Sequence, residues 1–314
     1  MISLSSDTLA RTTTLRQLQI LVAVARHGGY TQAANVLYLT QPTVSMQIKK
    51  LSDAIGLPLF ERRGKKLELT PGGRRTLEAS QDILSRLDLL GAEISSLTGE
   101  IKGELRIAVI TTAKYFMPRL LGAFIQRYPD VQPRLCVTNR ENVLLRLQEQ
   151  TDNLFIMGKV PEDLPVTASA FLDNDLVVIA PPRHHLANKH SIPLKALLRE
   201  RFLLREIGSG TRLATDQLFS NQKLELEPYM ELGSIEAIKQ AVMAGLGISV
   251  MSQHNLRLEL ESGKIHLLDV QGFPLHRHWY AVHAADRQLN LVSQAFLKFI
   301  HEESQHIIED SRHY

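Results

Sequence analysis

One stretch, TQPTVSMQIKKL at residues 40–51, restricts the fold of this 314-residue chain more than any other. Thr40 is a good helix N-cap, and Pro42 is tolerated in the first helical turn, where its missing N–H costs nothing. Apolar side chains recur there at helical spacing, at Val44, Ile48 and Leu51. Hydrogen-bonding side chains come early in this helix and lysines come late. That order is typical of a helix that enters the major groove of DNA.

Two further helices are predicted before this stretch. The first covers residues 15–26 and carries an apolar face of Leu15, Leu18, Leu21, Val22 and Ala25. The second covers residues 30–37, and a tight turn at 38–40 leads into the third helix. Three helices in this order fit a helix-turn-helix, although the spacing alone fits a generic helical bundle equally well.

A basic turn, ERRGKK at residues 61–66, follows the third helix and favours the DNA interpretation. Two short strands joined by this turn would form a wing whose cations contact phosphates; the alternative is an ordinary solvated face. Residues 1–73 carry nine lysines and arginines against four acids, a net charge of +5, which leaves −2 for the remainder. The predicted DNA contacts are Thr40, Gln41, Pro42, Thr43, Ser45, Lys49, Arg62, Arg63 and Lys65.

At this point a family resemblance is clear. AANVLYLTQPTVSMQIKKLSDAIGLPLFER and LTPGG resemble the LysR-type transcriptional regulators, and the resemblance covers about residues 14–300. VTNRENVLLRLQEQTDNLFIMGKVPEDLPV and LLDVQGFPLHRHWYAVH look like the CbbR/CmpR-like branch, which regulates the Calvin cycle and inorganic-carbon uptake. Ser252 departs from the family pattern, because many relatives carry a proline there.

A long helix is predicted from Thr70 to about Leu97. Its apolar residues Ile83, Leu87, Leu90, Ile94 and Leu97 are spaced four, three, four and three, an a/d seam over two heptads. The seam could pack on its own domain, but a winged domain needs a dimer to read a two-fold site. The resemblance likewise implies a homodimer or a dimer of dimers that binds an interrupted palindrome of double-stranded DNA. The expected domains are 14–72 (DNA-binding), 73–102 (linker and hinge) and 103–302 (effector-binding).

Strands and single helices alternate after residue 103. This pattern predicts an α/β domain with a mainly parallel, doubly wound sheet, joined to the winged helix-turn-helix domain, which is helical apart from its wing. The resemblance implies two lobes, as in periplasmic binding proteins. Lobe I would comprise 103–160 and 270–302, and lobe II 161–269, with crossovers near 159–165 and 268–274.

Three loops of this domain suggest a small-molecule site. Residues 111–114, 138–140 and 205–212 follow predicted strands and combine hydroxyls and backbone amides with cations. Four cations, Lys114, Arg140, Arg205 and Arg212, favour an anionic effector. The branch resemblance suggests a sugar phosphate, phosphoglycolate or a 2-oxo acid. The candidate effector residues are Thr111, Thr112, Ala113, Lys114, Asn139, Arg140, Gly158, Arg205, Ser209, Gly210 and Thr211; the alternative is that they are ordinary caps and loop residues.

The sequence predicts a regulator rather than an enzyme. GxSxG, HExxH, CxxC, a P-loop and a GxGxxG after a strand are all missing, so neither a catalytic site nor a cofactor is expected. No metal site is expected either, because no carboxylate or cysteine is spaced to join His184, His185 and His190. The competing interpretations are a LysR-type regulator of another pathway and a solute-binding or enzyme-like protein with a helical extension.

Location and partners complete these expectations. No segment of the sequence reaches the run of about 18 apolar residues that a membrane span needs. Residues 1–13 lack the apolar core of a signal peptide and are expected to form a disordered leader. The single cysteine, Cys136, falls in an apolar strand pattern and fits the reducing cytoplasm. RNA polymerase is a further candidate partner. The operator, the effector and the choice between activation and repression stay open.

Overall fold

The structure is a computed structural model that describes residues 5–64, 66–97 and 100–310. The chain divides into two compact units, residues 1–94 and 95–314. Among the described helices, none combines the length and apolar character needed to cross a lipid bilayer.

The first unit contains the predicted helix-turn-helix and wing. Its described elements are α1 (Ser6–Thr12), α2 (Leu15–His27), α3 (Tyr30–Leu37), α4 (Gln41–Ile55), β1 (Phe60–Arg63), β2 (Lys66–Leu69) and α5 (Pro71–Leu97). The predicted helices α2 to α5 are confirmed. Helix α4 is one turn longer than predicted and ends at Gly56, whose φ of +77° suits glycine.

Helix α1 corrects the prediction of a disordered leader over residues 1–13. The hydroxyl of Ser5 accepts a hydrogen bond from the backbone N–H of Thr8 at 3.2 Å and caps the helix. One turn apart, Asp7 and Arg11 form an exposed ion pair at 3.2 Å. Such caps and pairs stabilise a short helix locally without any apolar core, which is why hydropathy alone missed it. Residues 1–4 lie outside the described residues.

Helices α2, α3 and α4 share one small core. The predicted stripe of α4 is confirmed, since Val44, Ile48 and Leu51 are all buried. The predicted face of α2 is shifted, because Leu15 is exposed while Ile20 and Val24 are buried. The shift arises because α2 packs against both α3 and α4 and therefore buries two adjacent faces. The buried apolar residues of this core are Leu18, Ile20, Leu21, Ala23, Val24, Ala33, Ala34, Val44, Ile48, Leu51 and Leu59.

A tight junction joins the wing to helix α5. The hydroxyl of Thr70 donates to the Pro58 carbonyl at 2.6 Å and accepts from the backbone N–H of Gly73 at 2.9 Å. A Cβ on Gly73 would stand 2.0 Å from the carbonyl oxygen of Leu59. Glycine is therefore required at this position for the close approach of two backbones. This contact explains the second glycine of the LTPGG motif.

Helix α5 is continuous from Pro71 to Leu97, as predicted. Four residues of the predicted seam, Ile83, Leu87, Leu90 and Ile94, are 45%, 40%, 50% and 56% exposed. Apolar side chains at a/d spacing are stabilised when a partner helix covers them. A dimer through this helix stays a prediction. The side chain of Leu97, and Thr98 and Gly99 of the predicted hinge, lie outside the described residues.

The first lobe of the second unit is built on a five-stranded sheet. Its strands are β3 (Gly103–Ile110), β4 (Val131–Thr138), β5 (Leu154–Met157), β6 (Val166–Asp173) and β12 (His278–Ala284), in the order β4-β3-β5-β12-β6. Its helices are α6 (Met117–Arg127), α7 (Arg140–Gln148) and α11 (Leu291–Asp310), with a 3-10 turn at Thr111–Tyr115. Cys136 packs half-buried in β4, as its pattern predicted.

The second lobe repeats this plan. Its strands are β7 (Leu176–Ala180), β8 (Phe202–Arg205), β9 (Met230–Leu232), β10 (Ile248–Ser252) and β11 (His266–Leu268), in the order β11-β7-β10-β8-β9. Its helices are α8 (Gly210–Asn221), α9 (Ile235–Met243) and α10 (Arg257–Glu261), with 3-10 turns at Leu194–Arg199 and Gln253–Asn255. In each sheet one strand is antiparallel to the other four: β12 in the first lobe and β7 in the second. The mainly parallel, two-lobed prediction is thus confirmed.

The sheet topology corrects the predicted lobe boundaries. Strand β6, which was not predicted, pairs antiparallel with β12 and therefore belongs to lobe I. The first crossover consequently lies at residues 174–175 and not near 159–165. The second connects β11 to β12 through residues 269–277. Strands β9 and β11 were also not predicted, since each has only three residues.

Candidate nucleic-acid interface and ligand cavity

The start of helix α4 presents the predicted base-reading residues. Thr40 caps the helix by accepting from the backbone N–H of Thr43 at 3.4 Å, and the two hydroxyls bond each other at 2.8 Å. Gln41 and Pro42 are exposed in the first turn, whereas Ser45 is half-buried. Exposed polar groups at a helix start are what direct readout in the major groove requires.

Helix α4 is held in place by a partly buried polar contact as well as by its apolar stripe. The side-chain amide of Gln17, which is buried on α2, donates to Gln47 on α4 at 3.2 Å. Gln17 also forms a capping box with Thr14 at the start of α2. This double use fixes Gln17 and limits rotation of α4 about its own axis.

The wing carries several cations beside this helix. β1 pairs antiparallel with β2, with Arg62 opposite Leu67 and Arg63 opposite Lys66. Arg63 Nε forms ion pairs with the carboxylates of Glu61 and Glu68, at 3.7 Å each, so part of the charge of Arg63 is compensated. In the described part of the chain, no ion pair is recorded for the exposed Lys49 or Arg62. Lys65, a predicted phosphate contact, lies outside the described residues.

In the second unit, one cavity collects most of the predicted effector residues. It has a volume of about 420 Å³, within the range of small-molecule sites. The cavity is lined by residues at the ends of strands from both lobes and in the first turns of α7 and α8. Its lining includes Thr111, Thr112, Asn139, Arg140, Gly158, Arg205, Ser209, Gly210 and Thr211 from the prediction, together with Asn174, Leu176, Ser252, Arg277 and Trp279.

Two predicted effector residues do not line this cavity. Ala113 is fully buried in the core of lobe I. Lys114 is exposed, and its ammonium lies 5.0 Å from the centre of the Tyr115 ring. The cause is the 3-10 turn at Thr111–Tyr115, which replaces the predicted loop and turns these two side chains away from the cavity.

Two guanidiniums reach the cavity without a carboxylate partner among the described residues. Arg140 donates to the backbone carbonyl of Lys159 at 2.6 Å, and Arg277 donates to that of Gly158 at 3.0 Å. Burial, and after it the positive charge of Arg277, lowers the pKa of Arg140. Burial likewise lowers the pKa of Arg277. Two half-buried positive charges that repel each other, as the effect of Arg277 on Arg140 shows, attract an anion.

The other predicted cations are already neutralised. Arg205 forms a two-pronged pair with Glu206, with both nitrogen–oxygen distances at 2.7 Å. Arg212 pairs with Asp216 at 2.8 Å and with Glu231 at 3.2 Å. Of the four predicted cations, only Arg140 is available to an anion in the cavity. Carboxylates already neutralise Arg205 and Arg212, and Lys114 does not line the cavity.

Three buried polar atoms of the cavity lining lack hydrogen-bond partners within the described chain. They are Asn174 Oδ1, Ser252 Oγ and Trp279 Nε1, on residues that are 5%, 1% and 0% exposed. A buried polar group without a partner is destabilising, so such atoms in a cavity wall indicate a bound ligand or water.

Reasoning from the sequence missed Arg277, Asn174 and Trp279 for one topological reason. It searched the carboxyl ends of strands, whereas β12 runs antiparallel to β5, so the start of β12 lies at that same edge. Arg277 directly precedes β12, and Asn174 directly follows the strand β6 that was not predicted. The segment LHRHWYAVH would have revealed Arg277 and Trp279 if its strand direction had been known, and Asn174 required the prediction of β6.

The prediction that no carboxylate joins His184, His185 and His190 is wrong. Glu200 lies 3.4 Å from His184 Nε2 and 3.1 Å from His185 Nε2, so a carboxylate does join two of these histidines. His184 Nδ1 accepts from the backbone N–H of Leu186 at 3.4 Å, which leaves the ring proton on Nε2, facing Glu200. Burial lowers the pKa of His184 and favours this neutral form. The cluster is therefore a hydrogen-bonded loop anchor.

These features define a class of protein: a winged helix-turn-helix DNA-binding unit followed by a two-lobed unit with an anion-attracting cavity. Residues 15–74 match the family model for the bacterial regulatory helix-turn-helix protein of the lysR family, and residues 98–305 match that for the LysR substrate binding domain. The chain belongs to the LysR family of transcriptional regulators. It is accordingly a regulator and not an enzyme.

Curated relatives and solved structures agree. The chain is 47% identical to the HTH-type transcriptional activator CmpR of Synechocystis sp. over 93% of this chain and 96% of that protein. It is 46% identical to a RuBisCO operon transcriptional regulator of Acidithiobacillus ferrooxidans over 92% of this chain and 94% of that protein.

Two solved structures are informative. The Synechocystis PCC6803 CcmR regulatory domain in complex with 2-PG has a TM-score of 0.62 and 48% identity, over 65% of this chain and 98% of that one. Full-length CbnR complexed with its target DNA has a TM-score of 0.62 and 21% identity, over 92% of this chain and 99% of that one. At that identity, CbnR supports the fold alone.

Proposed function

We propose that this regulator controls genes of carbon fixation or inorganic-carbon uptake in response to a small anionic metabolite. The names of its relatives, CmpR and the RuBisCO operon regulators, support the gene class. The observation that carries the sensing function is the pair of uncompensated guanidiniums, Arg140 and Arg277, in the cavity. The 2-PG complex of CcmR supports phosphoglycolate as the first effector to test, ahead of sugar phosphates and 2-oxo acids.

The DNA-binding part of the proposal concerns helix α4 and the wing. Gln41, Thr43 and Ser45 read base edges in the major groove, with Thr40 and Pro42 setting the start of the helix. Lys49, Arg62, Arg63 and Lys65 hold phosphates, which gives affinity without sequence information. The target is double-stranded DNA in the cytoplasm, with two half-sites in an interrupted palindrome.

Assembly follows from the exposed seam of α5. Ile83, Leu87, Leu90 and Ile94 pack against the same seam of a second copy, so that two α4 helices are paired. Dimers of dimers and contact with RNA polymerase extend the same proposal. The effector acts by binding one arrangement of the assembly more tightly than another, since a ligand with equal affinity for both shifts nothing.

A thermal-shift screen tests the sensing function. Wild-type protein is heated with 2-phosphoglycolate, ribulose bisphosphate or 2-oxoglutarate, and an Arg183→Gln variant serves as a matched control, since Arg183 is exposed outside the cavity. A ligand at 100 times its Kd stabilises the folded state by about 2.7 kcal/mol. We expect a phosphorylated acid to raise Tm equally in both proteins. No shift with any of these three metabolites would instead favour a LysR-type regulator of another pathway.

A further inference from the structure

We propose that the cavity binds its effector in one orientation, with a dianionic phosphate at Arg140 and Arg277. The carboxylate then lies along the part of the lining formed by Thr111, Thr112 and the start of α8. This orientation rests on the proposed function of the cavity as the effector site. It defines the ligand class as small acids that carry a phosphate at one end and a carboxylate at the other.

Hydrogen bonds to backbone carbonyls fix the orientation of Arg140 and Arg277. They donate to the carbonyls of consecutive residues, Gly158 and Lys159, at the end of β5. Each of these two bonds uses one terminal nitrogen of a guanidinium that carries five N–H donors, so donors remain for a ligand. A single carboxylate would neutralise only half of this charge. A phosphate dianion matches both the charge of the pair and its planar donors.

Unpartnered groups lie at the same end of the cavity. The backbone N–H of Asn174 donates to the carbonyl of Arg277 at 2.8 Å, and the side-chain nitrogen of Asn174 is 3.1 Å from the point where a Cβ on Gly158 would lie. Trp279 follows Arg277 by two residues, and Ser252 pairs with Leu176 beside this crossover. The buried Trp279 N–H and Ser252 hydroxyl are donors without partners. A phosphate supplies acceptor oxygens for these two donors, but not for Asn174 Oδ1, the third unpartnered atom, which is itself an acceptor.

The remaining lining suits a weaker anion. Arg205 lies there, but Glu206 already compensates its charge. The hydroxyl oxygen of Thr111 accepts from Arg205 at 3.5 Å, which leaves its O–H to donate to a ligand. The hydroxyl of Thr112 and the backbone N–H groups at the start of α8 line the same part of the cavity. Ser209 caps the helix by accepting from the backbone N–H of Arg212 at 3.4 Å. Neutral donors and the partial positive charge of a helix start match one carboxylate better than a dianion.

A ligand–protein cycle tests the orientation. Binding of 2-phosphoglycolate, glycolate and ethyl phosphate is measured by calorimetry on the full-length wild type, Arg277→Gln, Arg140→Gln and Thr211→Val. Loss of a charge-assisted bond costs about 10- to 150-fold in affinity. We expect each arginine variant to weaken 2-phosphoglycolate and ethyl phosphate by that factor and glycolate by less than about threefold. Thr211→Val should weaken 2-phosphoglycolate and glycolate but spare ethyl phosphate.

The pH dependence supplies a readout that a purely structural role would not change. The second ionisation of a phosphate ester lies near pH 6, so affinity of the wild type for ethyl phosphate should rise as pH increases from 5.5 to 7. This rise should be smaller in Arg277→Gln. Arg183→Gln should bind all three ligands as the wild type does. A ligand-free Tm equal to that of the wild type shows that Arg140→Gln and Arg277→Gln fold.

Two outcomes overturn the proposal, and they differ from failure of the proposed function. Equal losses for all three ligands in the arginine variants would show that these residues do not distinguish phosphate from carboxylate. Ethyl phosphate that depends on Thr211 and not on the arginines would reverse the orientation. If the wild type binds none of the phosphate ligands, the phosphorylated effector itself is wrong, and the orientation falls with it.

Discussion

Gly73 shows how one residue without a side chain determines local structure. Its Cα approaches the carbonyl of Leu59 so closely that a Cβ would stand 2.0 Å from that oxygen. For Gly91, further along the same helix, no described atom outside the local helix backbone lies within 4 Å of the corresponding point. Identical substitutions should therefore have opposite effects in one helix.

We predict that Gly73→Ala lowers the free energy of unfolding by about 2 kcal/mol or more, because either the wing or the start of α5 must move. Gly91→Ala should raise it by up to about 1 kcal/mol, because alanine has the higher helix propensity. Denaturant unfolding of both variants measures this. Equal stabilities would mean that the junction between wing and helix can relax without cost.

Gln41 is the residue on which base readout depends most directly in this account. It is exposed in the first turn of α4, and its amide can form two hydrogen bonds to an adenine. Gln41→Ala should weaken binding to the specific site by about 1–3 kcal/mol and leave binding to random DNA almost unchanged. Arg62→Ala is the matched control and should weaken both alike, since phosphate contacts carry no sequence information. Fluorescence anisotropy with the two DNAs provides the measurement, and equal losses for Gln41→Ala on both would remove its base-reading role.

At the scale of elements, the 3-10 turn at Thr111–Tyr115 connects the cavity with the opposite lobe. Thr111 and Thr112 line the cavity, while the hydroxyl of Tyr115 donates to Glu236 on α9 at 3.2 Å. Lys239 on α9 lies 4.9 Å from the centre of the Tyr115 ring. Its ammonium bonds Glu259 at 2.7 Å and Glu236 at 3.0 Å. One turn thus contacts the ligand site and the other lobe.

Lys239 should be costly to replace, because it is only 4% exposed. Burial opposes its charged form, but the bonds to Glu259 and Glu236 outweigh burial and raise its pKa. Lys239→Met leaves Glu259 buried without its partner, and breaking a buried pair costs about 3–5 kcal/mol. The exposed Lys195→Met should change stability by less than about 0.5 kcal/mol. Thermal unfolding compares the two, and matching Tm values would show that this network contributes little.

Elements with strong local patterns were predictable from the sequence, and those that depend on tertiary pairing were not. Helix α4 combines a cap, an early proline and a regular apolar stripe, so its existence followed from local rules. Strand β6 reads VTASAFLD and buries few residues, because it is an edge strand whose place is set by pairing with β12. Helix α1 was missed because its stabilising contacts are polar.

The candidate site was predictable to the same extent. Thr111, Asn139 and Arg140 follow parallel strands, so the rule for carboxyl ends located them. Arg277 required the direction of β12, which no local pattern encodes. The compensation of Arg205 by its own neighbour Glu206 could have been suspected from their adjacency. The meeting of Glu200 with His184 and His185 depends on tertiary folding.

At the scale of the whole molecule, we assign DNA binding to the first unit and sensing to the second. The charge balance agrees, since the net positive charge is concentrated in residues 1–73. The cavity residues and the predicted DNA contacts share no member. A substitution in the cavity should therefore separate the two activities, which requires that DNA affinity and ligand response be measured on the same variant.

The most direct test is a titration of a promoter fragment that the wild type binds specifically, with and without 2-phosphoglycolate, using wild type and Arg277→Gln. We expect both proteins to bind the fragment with equal affinity when no ligand is present. Ligand should change the wild-type affinity or its DNA bending, and Arg277→Gln should fail to respond at the same concentration. An Arg277→Gln protein that responds as the wild type does, or that loses DNA binding while remaining folded, would contradict the account.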